Sequence, residues 1–398
     1  MSENVLENRL EPLMKYPGGK EKELVHIIPA LPKRFDNYYE PFVGGGAVFF
    51  SIKAGKYFIN DKSDELISLY EMVKTQNGGF FDRLTDIGAG WDAVGGFVEK
   101  HREALTNLYS SYKSGEWDKK QLEREITAFA EKYAAELAAL LAGDVRRAEA
   151  EFAGEVRASL KNKIVRMKKI SEEKGELPYE DVAANIESAF KAAFYTHARM
   201  LMNGAKELGI NREFATALYF FIRQTCYSSM FRYNKEGKFN VPYGGISYNK
   251  KSLAGKISYF RDRELAGHLA KTTIGNMDFY EFMETYKPAE NDFVFLDPPY
   301  DSEFSTYAKN EFGREDQARL AAYLLCECRA DFMLVIRNTD YIASLYPAGE
   351  RTANGKRLKV AMFDKRYFVS FQDRNNKEAQ HLLITNYDFE NNLPIICK

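Results

Sequence analysis

The chain has 398 residues, 45% of them hydrophobic and 28% charged, with a formal net charge of -1. That length supports a large core and roughly two or three domains. The absence of a biased tract, of a run near the roughly 20 apolar residues of a membrane helix, and of a basic-apolar leader argues for a soluble, cytoplasmic globular protein. Cys226, Cys326, Cys328 and Cys397 have neither paired metal spacing nor a secreted disulfide pattern, and His26, His101, His197, His268 and His381 are scattered without ligand spacing. No metal is expected. The near-neutral charge does not exclude a polyanionic partner, because such binding depends on local patches.

In chain order, residues 37–42 predict a strand, Gly44-Gly45-Gly46 the turn after it, and residues 47–54 the start of a helix. This is the order of a doubly wound nucleotide-binding sheet. Residues 57–60 predict the second strand, which ends in Asp61, about fifteen residues past the glycines, where a carboxylate can accept both hydroxyls of a ribose.

The middle of the chain differs. Residues 121–174 are rich in Ala, Glu, Lys and Arg with leucine and isoleucine at helical spacing, which predicts long exposed helices forming an insertion. Residues 157–169 concentrate positive charge without an acid, so they read either as a solvated helix face or as a phosphate contact. An apolar helix with Phe214, Leu218, Phe221 and Ile222 then leads into residues 232–240. There Arg232, Lys235 and Lys238, followed by Lys250, Lys251, Lys256 and Arg261, interleave with Tyr233, Phe239, Tyr243, Tyr248 and Tyr259. The mixture suits phosphate anchoring with stacking or wedging. Asn234 and Asn240 offer the donor and acceptor needed to read a base edge, although asparagine is also a common turn residue.

Later strands are predicted at 271–275, 293–296, 332–336, 367–371 and 381–386, with a helix at 316–329. The last two lack a helix between them and are joined by the polar residues 372–380, which predicts an antiparallel hairpin at one sheet edge.

Asp297-Pro298-Pro299-Tyr300 closes the apolar run 293–296 and carries the chemistry. An exocyclic amine on a base is a weak nucleophile, its lone pair delocalised into the ring. Asp297 and the Pro298 carbonyl can accept hydrogen bonds from such an amine and draw the lone pair out as positive charge develops. Proline has no N–H to compete, and Tyr300 projects an aromatic face for a planar base. No covalent nucleophile is required for an amine to attack a sulfonium methyl. The glycine turn agrees: bulky Val48, Phe49 and Phe50 follow it, which suits a pyrophosphate poorly and a phosphate-free ligand such as S-adenosyl-L-methionine better.

These residues resemble the Dam-like family of DNA adenine-N6 methyltransferases, with motifs in the alpha-class order. The resemblance rests on Lys15-Tyr16-Pro17-Gly18-Gly19-Lys20, Glu40-Pro41-Phe42-Val43-Gly44-Gly45-Gly46, Ile59-Asn60-Asp61, Arg232-Tyr233-Asn234-Lys235 with Phe239-Asn240-Val241-Pro242, Asp297 to Tyr300, and Leu382-Leu383-Ile384-Thr385-Asn386-Tyr387. It implies that Tyr16, Lys20, Phe42, Gly44, Asp61, Asp278, Phe279 and Asp297 contact S-adenosyl-L-methionine. It also implies that Asp297, Pro298 and Tyr300 act on the target amine, and that Arg232, Tyr233, Asn234, Lys235, Lys238 and Asn240 meet DNA. After Pro242 the chain lacks the basic pattern of the GATC readers, so that site is not implied.

The expected architecture is α/β: a Rossmann-like, mostly parallel methyltransferase sheet with an antiparallel edge hairpin, plus a mainly helical target-recognition domain. Residues 1–75 and 265–398 would form the catalytic domain and 76–264 the second, including a helical insertion at about 85–200 and a hairpin at about 230–243. The expected partner is double-stranded DNA, a cognate restriction endonuclease is a candidate companion, and no membrane is involved. Two alternatives share these residues: methylation of the 4-amino group of cytosine, and a non-catalytic DNA-binding protein that keeps the fold.

Overall fold

The computed structural model describes residues 2–300, 312–366 and 378–389, and Cys397 and the strand expected at 367–371 lie outside the described residues. The chain forms two compact units, Met1–Lys74 with Arg263–Lys398, and Thr75–Asp262.

In the first unit the strands are β1 Tyr38–Glu40, β2 Tyr57–Asn60, β3 Thr272–Gly275, β4 Phe293–Leu296, β5 Asp331–Arg337, β6 Lys359–Arg366 and β7 Glu378–Thr385. They form one sheet in the order β3-β2-β1-β4-β5-β7-β6. The pairs from β3 to β5 are parallel, whereas β7 runs antiparallel to both β5 and β6. β4 is buried throughout and β5 from Phe332 to Ile336, as expected for parallel strands covered on both faces. One cover includes the helices Phe279–Tyr286 and Arg314–Cys326, whose Phe279, Phe282, Leu320 and Leu324 join Val294, Leu296, Phe332 and Leu334 in a common core. From β1 the chain builds β2 and β3 to one side and then crosses to place β4 on the other. The carboxyl ends of β1 and β4 therefore flank the point where strand order reverses, which is where open α/β sheets bind ligands.

One local expectation is corrected. Residues 47–54 do not start an α-helix: the chain makes a short 3₁₀ turn at Phe49–Ser51, and Ile52 leaves it extended in a bridge to Val5. Adjacent Phe49 and Phe50 are both fully buried, so the tight turn sinks both rings into the core and leaves no solvent face for a helix. The strand expected at 367–371 lies outside the described residues, and the edge hairpin seen among those described pairs β7 with β6. In β6 Val360 and Phe363 are buried between lysine and acidic residues that blur the apolar signal.

The second unit is mainly helical, with helices Gly78–Lys100, Arg102–Ser114, Lys119–Lys132, Ala134–Ala139, Glu149–Lys174, Tyr179–Asn203, Arg212–Thr225 and Ala254–Phe260. Asn77, Asp118 and Asn211 cap three of them through their side chains. The segment expected as exposed helices is amphipathic instead. Leu122, Ile126 and Phe129 on one helix, and Phe152, Val156, Leu160, Ile164 and Met167 on another, are buried. Much of the basic run is spent inside this unit. Lys161 pairs with Glu123 at 3.2 Å, Lys168 donates to the Tyr112 carbonyl at 2.9 Å, and Lys169 pairs with Glu173 at 3.7 Å. Among the described residues no helix is long and apolar enough to cross a membrane.

Candidate active site

β1 ends at Glu40 and delivers Pro41, Phe42 and the glycine turn. Gly44 has φ +48°, donates its N–H to Asp61 Oδ2 at 3.1 Å and accepts the Tyr70 hydroxyl on its carbonyl at 3.1 Å. The turn has no room for larger residues. A Cβ on Gly45 would lie 3.0 Å from the Met14 carbonyl and 3.1 Å from Tyr16 Cβ, and one on Gly46 2.6 Å from Tyr70 Oη. The glycines are thus required by the close seating of Tyr16 and Tyr70.

β2 ends at Asn60, whose buried amide donates to the carbonyls of Pro41 and Met277 at 3.1 and 3.0 Å while its oxygen accepts Met277 N–H at 3.0 Å. This one side chain ties together the chain exits after β1 and β3. Asp61 follows it, half-buried. Burial raises its carboxyl above the ordinary value, partly offset by the amides of Ser63 and Gly44. Past β3, Asp278 caps the helix Phe279–Tyr286 and is held between Arg319 at 2.7 Å and Lys62 at 3.6 Å. Phe42 and Phe279 come together, ring centroids 5.6 Å apart.

β4 ends at Leu296, so Asp297 emerges beside the glycine turn's strand. Its carboxylate forms a short ion pair with Lys20, whose side chain is 2% exposed. The same ammonium donates to the Tyr300 hydroxyl and to the Gly18 carbonyl, each at 3.0 Å. Gly19 N–H bonds the Tyr16 carbonyl at 3.0 Å, so the segment 16–20 touches both the glycine turn and Asp297. Beneath it Glu40 is fully buried, accepting the Tyr38 hydroxyl at 2.8 Å and Phe49 N–H at 3.1 Å. Burial pushes its carboxyl well above the usual range, and nearby Asp297 adds to the shift while Lys20 opposes it.

Four residues at this site carried no sequence signal. His381 on β7 lies 3.2 Å from the Tyr300 hydroxyl, and Gln317 donates its amide to the Pro299 carbonyl at 2.8 Å. Arg319 and Lys62 hold Asp278. Each sits on an ordinary helix, strand or loop pattern, and only its long-range partner reveals it.

In the second unit, Arg232 to Asn240 forms a tight hairpin with a Tyr233–Phe239 bridge and Gly237 at φ +73°. Arg232, Asn234, Lys235 and Lys238 are exposed. The Asn234 side-chain oxygen accepts the amides of Glu236 and Lys238 at 3.0 and 2.9 Å, so it closes the turn. Asn240 accepts from Arg232 Nε at 2.8 Å and orients the guanidinium. The hairpin is rooted by Asn203, which exchanges two hydrogen bonds of 2.9 Å with the Phe239 backbone.

Comparison with known proteins agrees with this arrangement. The chain is 25% identical to the "Type II methyltransferase M.MjaIII" of Methanocaldococcus jannaschii over 95% of its own length and 99% of that protein's. It is 22% identical to a DNA adenine methylase of Haemophilus influenzae over 88% of itself and 86% of that enzyme. A stretch covering 42% of the chain is 35% identical to "Type II methyltransferase M.CviBI" of Paramecium bursaria Chlorella virus NC1A and spans 60% of that relative. Residues 16–185 and 179–359 match the family described as D12 class N6 adenine-specific DNA methyltransferase. Covering nearly the whole site and the hairpin, that match shows that the chain belongs to the D12 class of N6 adenine-specific DNA methyltransferases.

Proposed function

We propose that the protein transfers a methyl group from S-adenosyl-L-methionine to the 6-amino group of an adenine flipped out of double-stranded DNA. The observation that carries this reading is the segment 16–20, which packs Tyr16 on the glycine turn after β1 and pairs Lys20 with Asp297 after β4. The groups present suit that methyl donor. Asp61 is a half-open carboxylate for two ribose hydroxyls, Phe42 and Phe279 are an apolar pair for the adenine ring, and Lys20, engaged by Asp297, Tyr300 and Gly18, orders the loop beside them. When bound, S-adenosyl-L-methionine supplies a methyl on positively charged sulfur.

The chain's own residues then act on the amine. Asp297 and the carbonyl of Pro298 accept its N–H groups and localise the lone pair on nitrogen, a stabilisation that grows as positive charge develops. Tyr300 offers its ring to the base, replacing part of the stacking lost when the nucleotide leaves the duplex. Gln317, bonded to the Pro299 carbonyl, steadies the backbone between these groups. The second unit is the target-recognition domain. Arg232, oriented by Asn240, is its phosphate anchor together with Lys235 and Lys238, Tyr233 is its stacking surface, and Asn234 shapes the turn that presents them. The enzyme works in the cytoplasm. Because two relatives are named type II methyltransferases, a restriction endonuclease of the same specificity is the expected companion.

The test is expression in a host without adenine methylation, followed by sequencing of genomic DNA with direct detection of modified bases. One enriched motif carrying methyladenine is expected, and purified Asp297→Ala protein should bind DNA without methylating it. Methylcytosine instead, or substantial transfer by Asp297→Ala, refutes the reading.

A further inference from the structure

We propose that His381 is a positioning residue for methyl transfer: from β7 it anchors the hydroxyl of Tyr300 and so fixes the ring against which the target base stacks. The inference rests on the reading above, in which Tyr300 receives the base.

Two prolines restrain the backbone before Tyr300, but they leave the side-chain torsions of the tyrosine undetermined. A stacking platform must hold one plane, because positional error at a reacting centre is costly in rate. The structure supplies the missing restraint at the far end of the ring. The Tyr300 hydroxyl lies 3.0 Å from Lys20 Nζ and 3.2 Å from His381 Nε2, one from the amino-terminal segment and one from the sheet. An ammonium can only donate, so the phenolic oxygen accepts from Lys20, and the phenol O–H can go to Nε2 of a neutral imidazole. The two rings are inclined at 68° with centroids 5.5 Å apart, so His381 does not stack on the phenol. The contact that distinguishes it is the one to the hydroxyl.

His381 also breaks the pattern of its strand. It is 0% exposed and is followed by buried Leu382, Leu383 and Ile384. A buried imidazole there costs free energy unless a polar partner offsets it, and Tyr300 is such a partner. Across β6 its neighbour is Phe363, whose ring centroid lies 5.7 Å away and which also contacts His26 at 4.8 Å. The imidazole is thus packed from the sheet side and aimed at the catalytic loop. The hydroxyl of Tyr300 becomes part of the machinery, beyond the aromatic face that the reaction itself requires.

The test is a double-mutant cycle with kcat and both KM values measured. Removing the hydrogen bond with His381→Leu is expected to lower kcat roughly five- to tenfold with little change in either KM, whereas His381→Gln, which can place an acceptor near the Nε2 position, should recover most of it. In the Tyr300→Phe background the leucine substitution should cost nothing further, because the bond is already gone. Equal losses in both backgrounds, or a fall shared by kcat and both KM values, would overturn the proposal. If the leucine variant does not fold, histidine-selective 15N NMR provides a second readout. With only five histidines, Tyr300→Phe should move the His381 Nε2 resonance in otherwise native protein, and an unmoved resonance counts against the bond. Failure of the underlying reading is separable: Asp297→Ala would then retain transfer, whereas failure of the anchor alone leaves Asp297→Ala inactive and the cycle additive.

Discussion

Lys20, buried, and Asp297, partly exposed, form an ion pair that joins the amino-terminal motif to the end of β4. The ammonium also bonds Tyr300 and Gly18, so one side chain holds the carboxylate and the aromatic of the Asp-Pro-Pro-Tyr loop together. Resemblance alone pointed Lys20 towards the methyl donor; the fold adds a direct tie to the Asp-Pro-Pro-Tyr loop.

Removing that tie should be expensive. Lys20→Met leaves Asp297, 19% exposed, without the Lys20 counter-charge. We expect turnover to fall about 100-fold, with weaker binding of the methyl donor and a lower unfolding midpoint. Steady-state kinetics, calorimetric titration of the donor and thermal unfolding would check this. Unchanged kcat would show that the pair plays no part in transfer.

The glycine turn predicts a graded response to added methyl groups. Gly46→Ala forces a Cβ to 2.6 Å from Tyr70 Oη and 2.9 Å from Phe50 at φ +76°, and should destabilise the protein by about 2 kcal/mol or more. Gly255→Ala, inside the helix Ala254–Phe260 with nothing within 4 Å, should instead stabilise by up to about 1 kcal/mol. Denaturant unfolding of the two variants gives the comparison, and equal effects would mean that close packing does not explain the glycine turn.

His268 makes the first unit sensitive to acid. Its ring centroid lies 4.2 Å from Tyr57 and 4.5 Å from Phe49. Burial, with a smaller contribution from the Lys271 charge, lowers its pKa to about 4 from 6.5, against the raising effect of a Phe49 backbone hydrogen bond. The folded state therefore favours neutral imidazole. Its stability contribution is complete above pH 6.5 and is lost as pH falls towards 4, on the order of 3 kcal/mol in all. Unfolding free energy measured across that window should decline in the native protein and decline less in His268→Leu. Parallel curves would refute the assignment.

The hairpin makes a prediction in salt. Replacing Arg232, Lys235 and Lys238 with alanine should weaken DNA binding and flatten the plot of log affinity against log salt by about 1 to 3, since each lost phosphate contact removes about 0.9. Donor binding should be unaffected. A parallel salt dependence would place the phosphate contacts elsewhere.

What the sequence determined by itself was whatever depends on local pattern. An apolar run located β4 to the residue because a buried parallel strand is continuously apolar. The Asp-Pro-Pro-Tyr motif at the end of that run identified the chemistry, and the edge hairpin was legible from two strands with no helix between them. Local pattern misled where tertiary burial overrode it. The pair Phe49 and Phe50 replaced an expected helix with a 3₁₀ turn, and the charges in β6 concealed a strand held by its neighbour. In the charge run at 157–169, packing brings Glu123 against Lys161 and the Tyr112 carbonyl against Lys168. The turn engages the side-chain oxygen of Asn234. Tertiary structure alone decided that Asn60 ties two strand exits, that Lys20 meets Asp297 and that His381 reaches Tyr300. A hydrogen-bond partner is set by which side chain the sheet order brings alongside, and no residue's own neighbours in sequence carry that information.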